Sequence, residues 1–427
     1  MELNRAIAPD INEFNTLEIS ECRVLTLDNG IKLNVIDHGE FDVNRLTMSW
    51  NGGANDVDSF STLMLATELM REGSKSYSGA EFAETLDYNG AWLKSNFHSH
   101  HSSIVLHSLN SKFDNVIPSI VESITSPTFP SQEFEINREK LATRKDLNLT
   151  KVAYLSNLSN QKLIFGENHP CSKDETSSGI RNISINDVQN IHNSIFTANG
   201  CELFLAGRIT PKIEDSINNN FGQLPLARNT FLQRVIPISP SAKNLDIIDV
   251  PHSMQSAITM SIPTIPRSHP DYIDLRYTVM ALGGYFGSRL MTNIREEKGY
   301  TYGIGAGIVN CPGSGVLVVT TEADNQYIDS IIHEVYLEMD RMCNDLAPKE
   351  ELEMVRNYML GDMSRSYEGP FSLSDAWIYI ETAELDDDFF VRSLDAIRSV
   401  TSEEIRTLAQ RYFCKEKLIE VVAGKKV

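Results

Sequence analysis

Three groups of residues in this 427-residue chain are of types that could do chemistry. In the first, the run L-M-L-A-T-E-L at 63–69, one carboxylate, Glu68, interrupts an apolar stretch with helical character. A carboxylate there can serve as a general base if a neighbour supplies an acidic water. The second is L-M-T-N-I-R-E-E-K-G-Y-T-Y-G-I at 290–304, which predicts a helix to Lys298, a left-handed C-cap at Gly299 and a strand from Tyr300. Arg295 falls in the last turn of that helix and Tyr302 on the strand. A guanidinium offers a fixed fork of charged donors and a phenol adds one more, a combination suited to a developing oxyanion. The plainer alternative is an arginine paired with Glu296 or Glu297 and a tyrosine packed on the sheet. The third group is F-H-S-H-H-S at 97–102, read as strand, where His98 and His100 share a face at i, i+2 and His107 lies further along. Two strand histidines can begin a metal site. A zinc site wants three or four protein ligands, and spacing marks no carboxylate or cysteine nearby, so a polar strand face is the favoured reading.

The elements that must position these groups follow from periodicity. Strand-like runs R-V-L-T-L and I-K-L-N-V-I-D flank Asn29-Gly30, a hairpin turn. R-L-T-M-S-W reads as a further strand, leading into helices at about 58–71 and 79–88, then strands within 92–109. Helices at about 111–125, 131–165 and 184–196 precede the strand E-L-F-L-A-G. This order indicates an α+β fold: two-layer sandwiches with helices on one face of a mainly antiparallel sheet.

The chain also repeats itself. I-R-N-I-S-I-N-D-V-Q-N-I-H followed by E-L-F-L-A-G (180–207) matches I-R-S-V-T-S-E-E-I-R-T-L-A followed by L-I-E-V-V-A-G (397–424). E-F-E-I-N-R from Glu133 matches E-L-E-M-V-R from Glu351 at nearly the same offset, and the segments near 111 and 325 match more loosely. Colinear matches at one offset imply two homologous halves of about 200 residues, far too long a period for a solenoid. The division is placed in V-I-P-I-S-P-S-A-K-N, giving domains 1–234 and 235–427.

Composition narrows the partners. A net charge of −20 argues against nucleic acid or an anionic membrane as the main partner. The six cysteines contain no C-x-x-C and read as isolated thiols. No run approaches a membrane span and the first residues have no signal-peptide core, so a cytoplasmic location is expected. No phosphate-binding loop or serine-hydrolase elbow is present.

On a helix at 58–71, positions 65, 68 and 69 share one face. The inverted zinc-peptidase motif H-x-x-E-H would occupy Leu65, Ala66, Thr67, Glu68 and Leu69, so both ligand positions hold leucine, which has no lone pair to give. Taken with the 290–304 segment, the chain resembles the pitrilysin family of inverted-motif zinc peptidases, which includes insulin-degrading enzyme and mitochondrial processing peptidase. The family pattern L-R-x-x-x-x-x-x-Y is met by Ile294, Arg295 and Tyr302, and G-G-Y-F-G-S-R-L at 283–290 resembles the preceding turn and helix start. The duplication, the E-F-E-x-x-R-E block and the 63–70 helix extend the resemblance over nearly the whole chain.

The resemblance implies that Arg295 and Tyr302 bind a substrate backbone at the zinc site of a second half-molecule. It also implies a third zinc ligand, a glutamate, where this chain has L-A-T-R-K-D-L, so that Arg144 or Lys145 takes its place. Of the motif only Glu68, at the general-base position, remains, and without a zinc-bound water it reads as a vestige. The expectation is a non-catalytic subunit with no cofactor of its own, paired with an H-x-x-E-H paralogue that carries the zinc, and acting on peptides. The alternatives are a dead homodimer, structural or peptide-binding like the core proteins of the respiratory cytochrome reductase, and a metalloenzyme using His98 and His100.

Overall fold

The structure, a computed structural model, describes residues 20–196, 201–225, 236–383, 385–386 and 388–425. The expected division at 234/235 lies outside the described residues. Two mixed sheets organise the chain. The first has the order β1-β2-β6-β3-β5-β4, from β1 (Arg23–Thr26), β2 (Lys32–Asp37), β3 (Val43–Asn51), β4 (Trp92–Phe97), β5 (His101–Leu109) and β6 (Cys201–Gly207). The second has the order β7-β11-β8-β10-β9, from β7 (Leu245–Asp249), β8 (Gln255–Thr264), β9 (Thr301–Cys311), β10 (Ser314–Asp324) and β11 (Ile419–Gly424).

Beyond the extra edge strand β1, the orders superimpose: the β2/β6 and β7/β11 pairs are parallel and every other pair is antiparallel. The duplicated α+β architecture is therefore present in the topology as well as in the repeat. The matched segments also coincide. Helices Ile185–Ile195 and Ser402–Tyr412 each open on a capping box, Ser184 with Asp187 and Thr401 with Glu404. Each leads on to the central strand that runs parallel to its neighbour, β6 or β11. Locally, β1 and β2 form the expected hairpin, with Gly30 at φ +91°, a conformation open to glycine at little cost. The helix read as continuous over 131–165 is two, Ser131–Asn148 and Val152–Phe165.

That break matters, because the second piece leaves its own half. Strand β3 is buried at seven consecutive positions, Asn44 to Trp50, and β8 at seven, Ser256 to Ile262. Such strands need cover on both faces. Each sheet is covered on one face by helices of its own half and meets on the other a helix from the opposite half. The Val152–Phe165 helix lies on β8 and β11, where the Ser156 hydroxyl meets the Thr259 hydroxyl (2.8 Å) and the Val421 carbonyl (3.2 Å). Reciprocally, helix Pro370–Thr382 lies on β2 and β6, packing Leu373 against Ile36 and Ala206. Arg45 of β3 donates two hydrogen bonds to the Asp375 carboxylate (2.7 and 3.1 Å) and one to the Phe371 carbonyl (2.7 Å). Lys32 of β2 pairs with Glu381. Among the described residues no helix is long and apolar enough to cross a membrane.

Candidate functional site

The helix that carries the motif positions is Phe60–Leu69. Ser59 caps it, accepting from Thr62 N–H (3.0 Å), and the Glu175 carboxylate accepts from the Phe60 and Ser61 amides (2.5 and 3.2 Å). A carboxylate at the positive end of a helix is stabilising. Leu65 and Leu69 are completely buried in a cluster with Ala66, Phe129, Phe134 and Ala142. Each contributes about 2 kcal/mol by leaving water. Glu68 points instead to the protein's surface and pairs with Arg71, one turn on.

The Ser131–Asn148 helix carries Arg144 and Lys145, where the resemblance implied a third ligand. Arg144 is exposed and takes no part in the cluster, whereas Ala142 packs with the two leucines. Lys145 turns inward, its ammonium held by Asp174 and by the Tyr154 hydroxyl (2.7 Å). Burial works against the charge, but these two partners outweigh it and hold Lys145 above the ordinary lysine range. Hydrocarbon and a neutralised cation thus occupy the region. Among the described residues no group of three or more His, Cys, Asp and Glu could hold a metal ion.

The histidines do not sit as the sequence reading placed them. Strand β4 ends at Phe97 and β5 begins at His101, so His98 and His100 lie in the hairpin loop and share no strand face. The loop follows from the backbone: its carbonyls accept from Gly52, Ala54 and Asn55, and His98 N–H closes on the His101 carbonyl (2.8 Å). A Cβ at Gly53 would come within 2.2 Å of the His98 carbonyl, so only glycine lets the chains meet this closely. His100 is buried with its Nδ1 2.7 Å from Asp56 Oδ1, a partner that no short spacing announced. His107 stacks on Trp92 with ring centroids 3.8 Å apart. Burial drives the pKa of His101 and of His107 down to about 4 and lowers that of His98, so all three favour the neutral form.

Arg295 and Tyr302 are brought together. Arg295 falls in a wide-turn π-helical segment, Met291–Glu297, a geometry frequent at functional positions. The segment stops where the Tyr300 amide donates to Ile294 (3.0 Å) and Gly299 takes φ +66°. Behind it, Asn293 donates to Glu334 (3.0 Å) and Glu338 (2.6 Å), and Lys298 pairs with Glu334 (2.6 Å), fixing the turn from below. The Arg295 guanidinium lies 4.4 Å over the exposed Phe286 ring, donates from Nε to the Tyr302 carbonyl (2.9 Å) and pairs with Glu296. The pairing foreseen in the plainer reading is therefore present. The tyrosine differs from that reading, for its side chain is not packed on the sheet: Tyr302 is 93% exposed. Phe286, inside G-G-Y-F-G-S-R-L, is the platform that sequence reasoning missed, and an aromatic in a glycine-rich turn was its only signal. Among the described residues no hydrogen bond or ion pair joins Glu68 to Arg295.

A family model described as the peptidase M16 inactive domain matches residues 182–359, a span that contains Arg295 and Tyr302. The chain is 23% identical over 265 residues to the non-peptidase homolog YmxG of Helicobacter pylori, covering 61% of this chain and 60% of that protein. It thus spans less than two thirds of that relative's length. The fold is similar to a peptidase M16 inactive domain from Pseudomonas fluorescens, with a TM-score of 0.86 and 18% identity over 95% of this chain and 98% of that one. It is also similar to a protease from Helicobacter pylori, with a TM-score of 0.82 and 13% identity over 95% and 100%.

Proposed function

We propose a function from one premise: this chain belongs to the pitrilysin, or M16, peptidase family as a non-catalytic member. In this reading it is one subunit of a two-chain zinc peptidase and holds peptide substrate at the active site of a paralogue bearing H-x-x-E-H. Arg295 and Tyr302 donate to the substrate backbone beside the scissile carbonyl, while zinc and its activated water belong to the partner. In this reading Glu68 has no zinc-bound water to activate and pairs with Arg71.

The observation that carries this reading is the contrast between Tyr302, 93% exposed, and the braced arginine beside it. The guanidinium is held against the Tyr302 backbone, so a charged donor and an exposed phenol stand on one turn at the surface, within reach of an incoming acceptor. The Glu296 pair does not remove them from use, because an exposed ion pair is worth at most about 1 kcal/mol and gives way readily to a better acceptor.

The test is co-expression with an H-x-x-E-H relative. The expected outcome is a heterodimer with zinc in the partner chain only, whose turnover of an unstructured peptide falls about 100-fold on Arg295→Ala. Wild-type turnover by that variant complex would remove the role given to Arg295. The second reading, a dead homodimer that is a scaffold or binds peptides without cutting them, is favoured by the Arg295–Glu296 pair, in which the arginine is already satisfied. It gives self-association with no affinity for the zinc-bearing relative on size exclusion.

A further inference from the structure

Two of the six cysteines are not isolated thiols. Cys171, in the short turn Pro170–Ser172, and Cys311, the last residue of β9, come from opposite halves of the chain, with their sulfurs 3.5 Å apart. Both are free. They border the apolar cluster that seats the Val152–Phe165 helix on the second sheet, beside Phe165, Val316 and Val421. Their backbones are held. The Cys171 amide donates to His169 Nδ1 (3.1 Å), and His169 Nε2 in turn donates to the Ile236 carbonyl (3.1 Å). Cys311 is fixed in the β9/β10 ladder opposite Ser314.

We infer that Cys171 and Cys311 are a reversible thiol–disulfide pair which, when oxidised, fastens the first half of the molecule to the second at their shared seam. The sulfurs need only close from 3.5 Å to about 2.05 Å, a shift within reach of side-chain rotation. The two thiols are unequal. The hydrogen bond with Cys311 lowers the Cys171 pKa against the effect of burial, with His169 and the Asn55 amide acting in the same sense. That same bond, together with burial, raises Cys311. Cys171 is half-buried and Cys311 buried, so a reagent from solvent reaches Cys171 first, which makes Cys171 the attacking thiolate and Cys311 the resolving thiol.

With a low-molecular-weight disulfide as oxidant the steps balance. The Cys171 thiolate attacks one sulfur of the reagent and expels one thiolate, leaving a mixed disulfide. Cys311 then loses its proton and attacks the Cys171 sulfur, expelling the second thiolate. Two protein thiols are oxidised, and one reagent disulfide is reduced to two thiols.

The experiment exposes the full chain to oxidised glutathione, alkylates what remains free and maps peptides without reduction. The expected product is a peptide pair joined through Cys171 and Cys311, with the midpoint of thermal unfolding raised by on the order of 5 °C and restored by dithiothreitol. Cys311→Ser should stop at glutathione on Cys171, and Cys171→Ser should leave Cys311 unmodified. Recovery of both cysteines alkylated from oxidised wild-type protein overturns the inference, whatever the variants do. Glutathione on Cys311 in place of Cys171 overturns the assigned order of attack.

Discussion

The Phe60–Leu69 helix and the Met291–Tyr302 segment, the two stretches that carry the resemblance to inverted-motif zinc peptidases, are built in opposite ways. In the first, the positions read against the zinc motif are core: Leu65 and Leu69 are sealed against Phe129, Phe134 and Ala142, and the inward cation Lys145 is neutralised by Asp174. In the second, polar groups stay outside: Tyr302 is exposed, Arg295 rests on a surface aromatic, and the bracing by Asn293 and Lys298 lies behind them. Leucines at such positions gain by leaving water, so the first region closes. A donor pair on a braced turn has no such incentive and remains available. The contrast teaches that one chain can seal one such region with hydrocarbon and still keep polar donors exposed at the other.

The largest expected effect comes from reversing the first region. Leu65→His with Leu69→His places two imidazoles in an apolar cluster and should lower stability to urea by about 4 kcal/mol or more. Elemental analysis should still find no stoichiometric zinc, because Lys145 faces inward where a third ligand is needed. A stable double variant with one zinc per chain would break the comparison. Acid should sharpen it. The four histidines with lowered pKa, His98, His101, His107 and His192, all lie in the first half. Below pH 6.5 the unfolded chain takes up protons that the folded chain refuses until about pH 4 at His101 and His107, so stability falls as pH drops through that window. Urea midpoints should decline from pH 6.5 to 4, and His101→Gln should flatten the slope; an unchanged slope would mean that this ring titrates freely. The smallest effect is expected in the second region. Tyr302→Ala should leave the stability of the isolated chain within about 0.5 kcal/mol, and a larger loss would assign the tyrosine to the fold.

Much of this architecture was legible because repeats and periodicity are local or colinear signals. The turn at Gly30 and the C-cap at Gly299 each follow from a few adjacent residues. The side chains' partners were less legible, because they lie far along the chain. Asp56 meets His100 and Cys171 meets Cys311 only through the tertiary fold. The histidine loop was misread as strand because it sits between two strand-like runs, and nothing local shows that Gly52 to Asn55 would take its carbonyls. The exchange of helices between halves left no local trace either. Ser156 and Asn160 are polar residues on that helix, yet both are buried against the other sheet.

That exchange sets an order of events during synthesis. The first sheet is complete in sequence at Gly207, but the helix that covers its second face begins only at Pro370. At roughly 5–20 residues per second, the nascent chain carries a bare apolar face for on the order of ten seconds. Over that interval the ribosome-bound protein is a client for whatever shields exposed sheets in the cell, and the arrival of Pro370–Thr382 decides when that exposure ends.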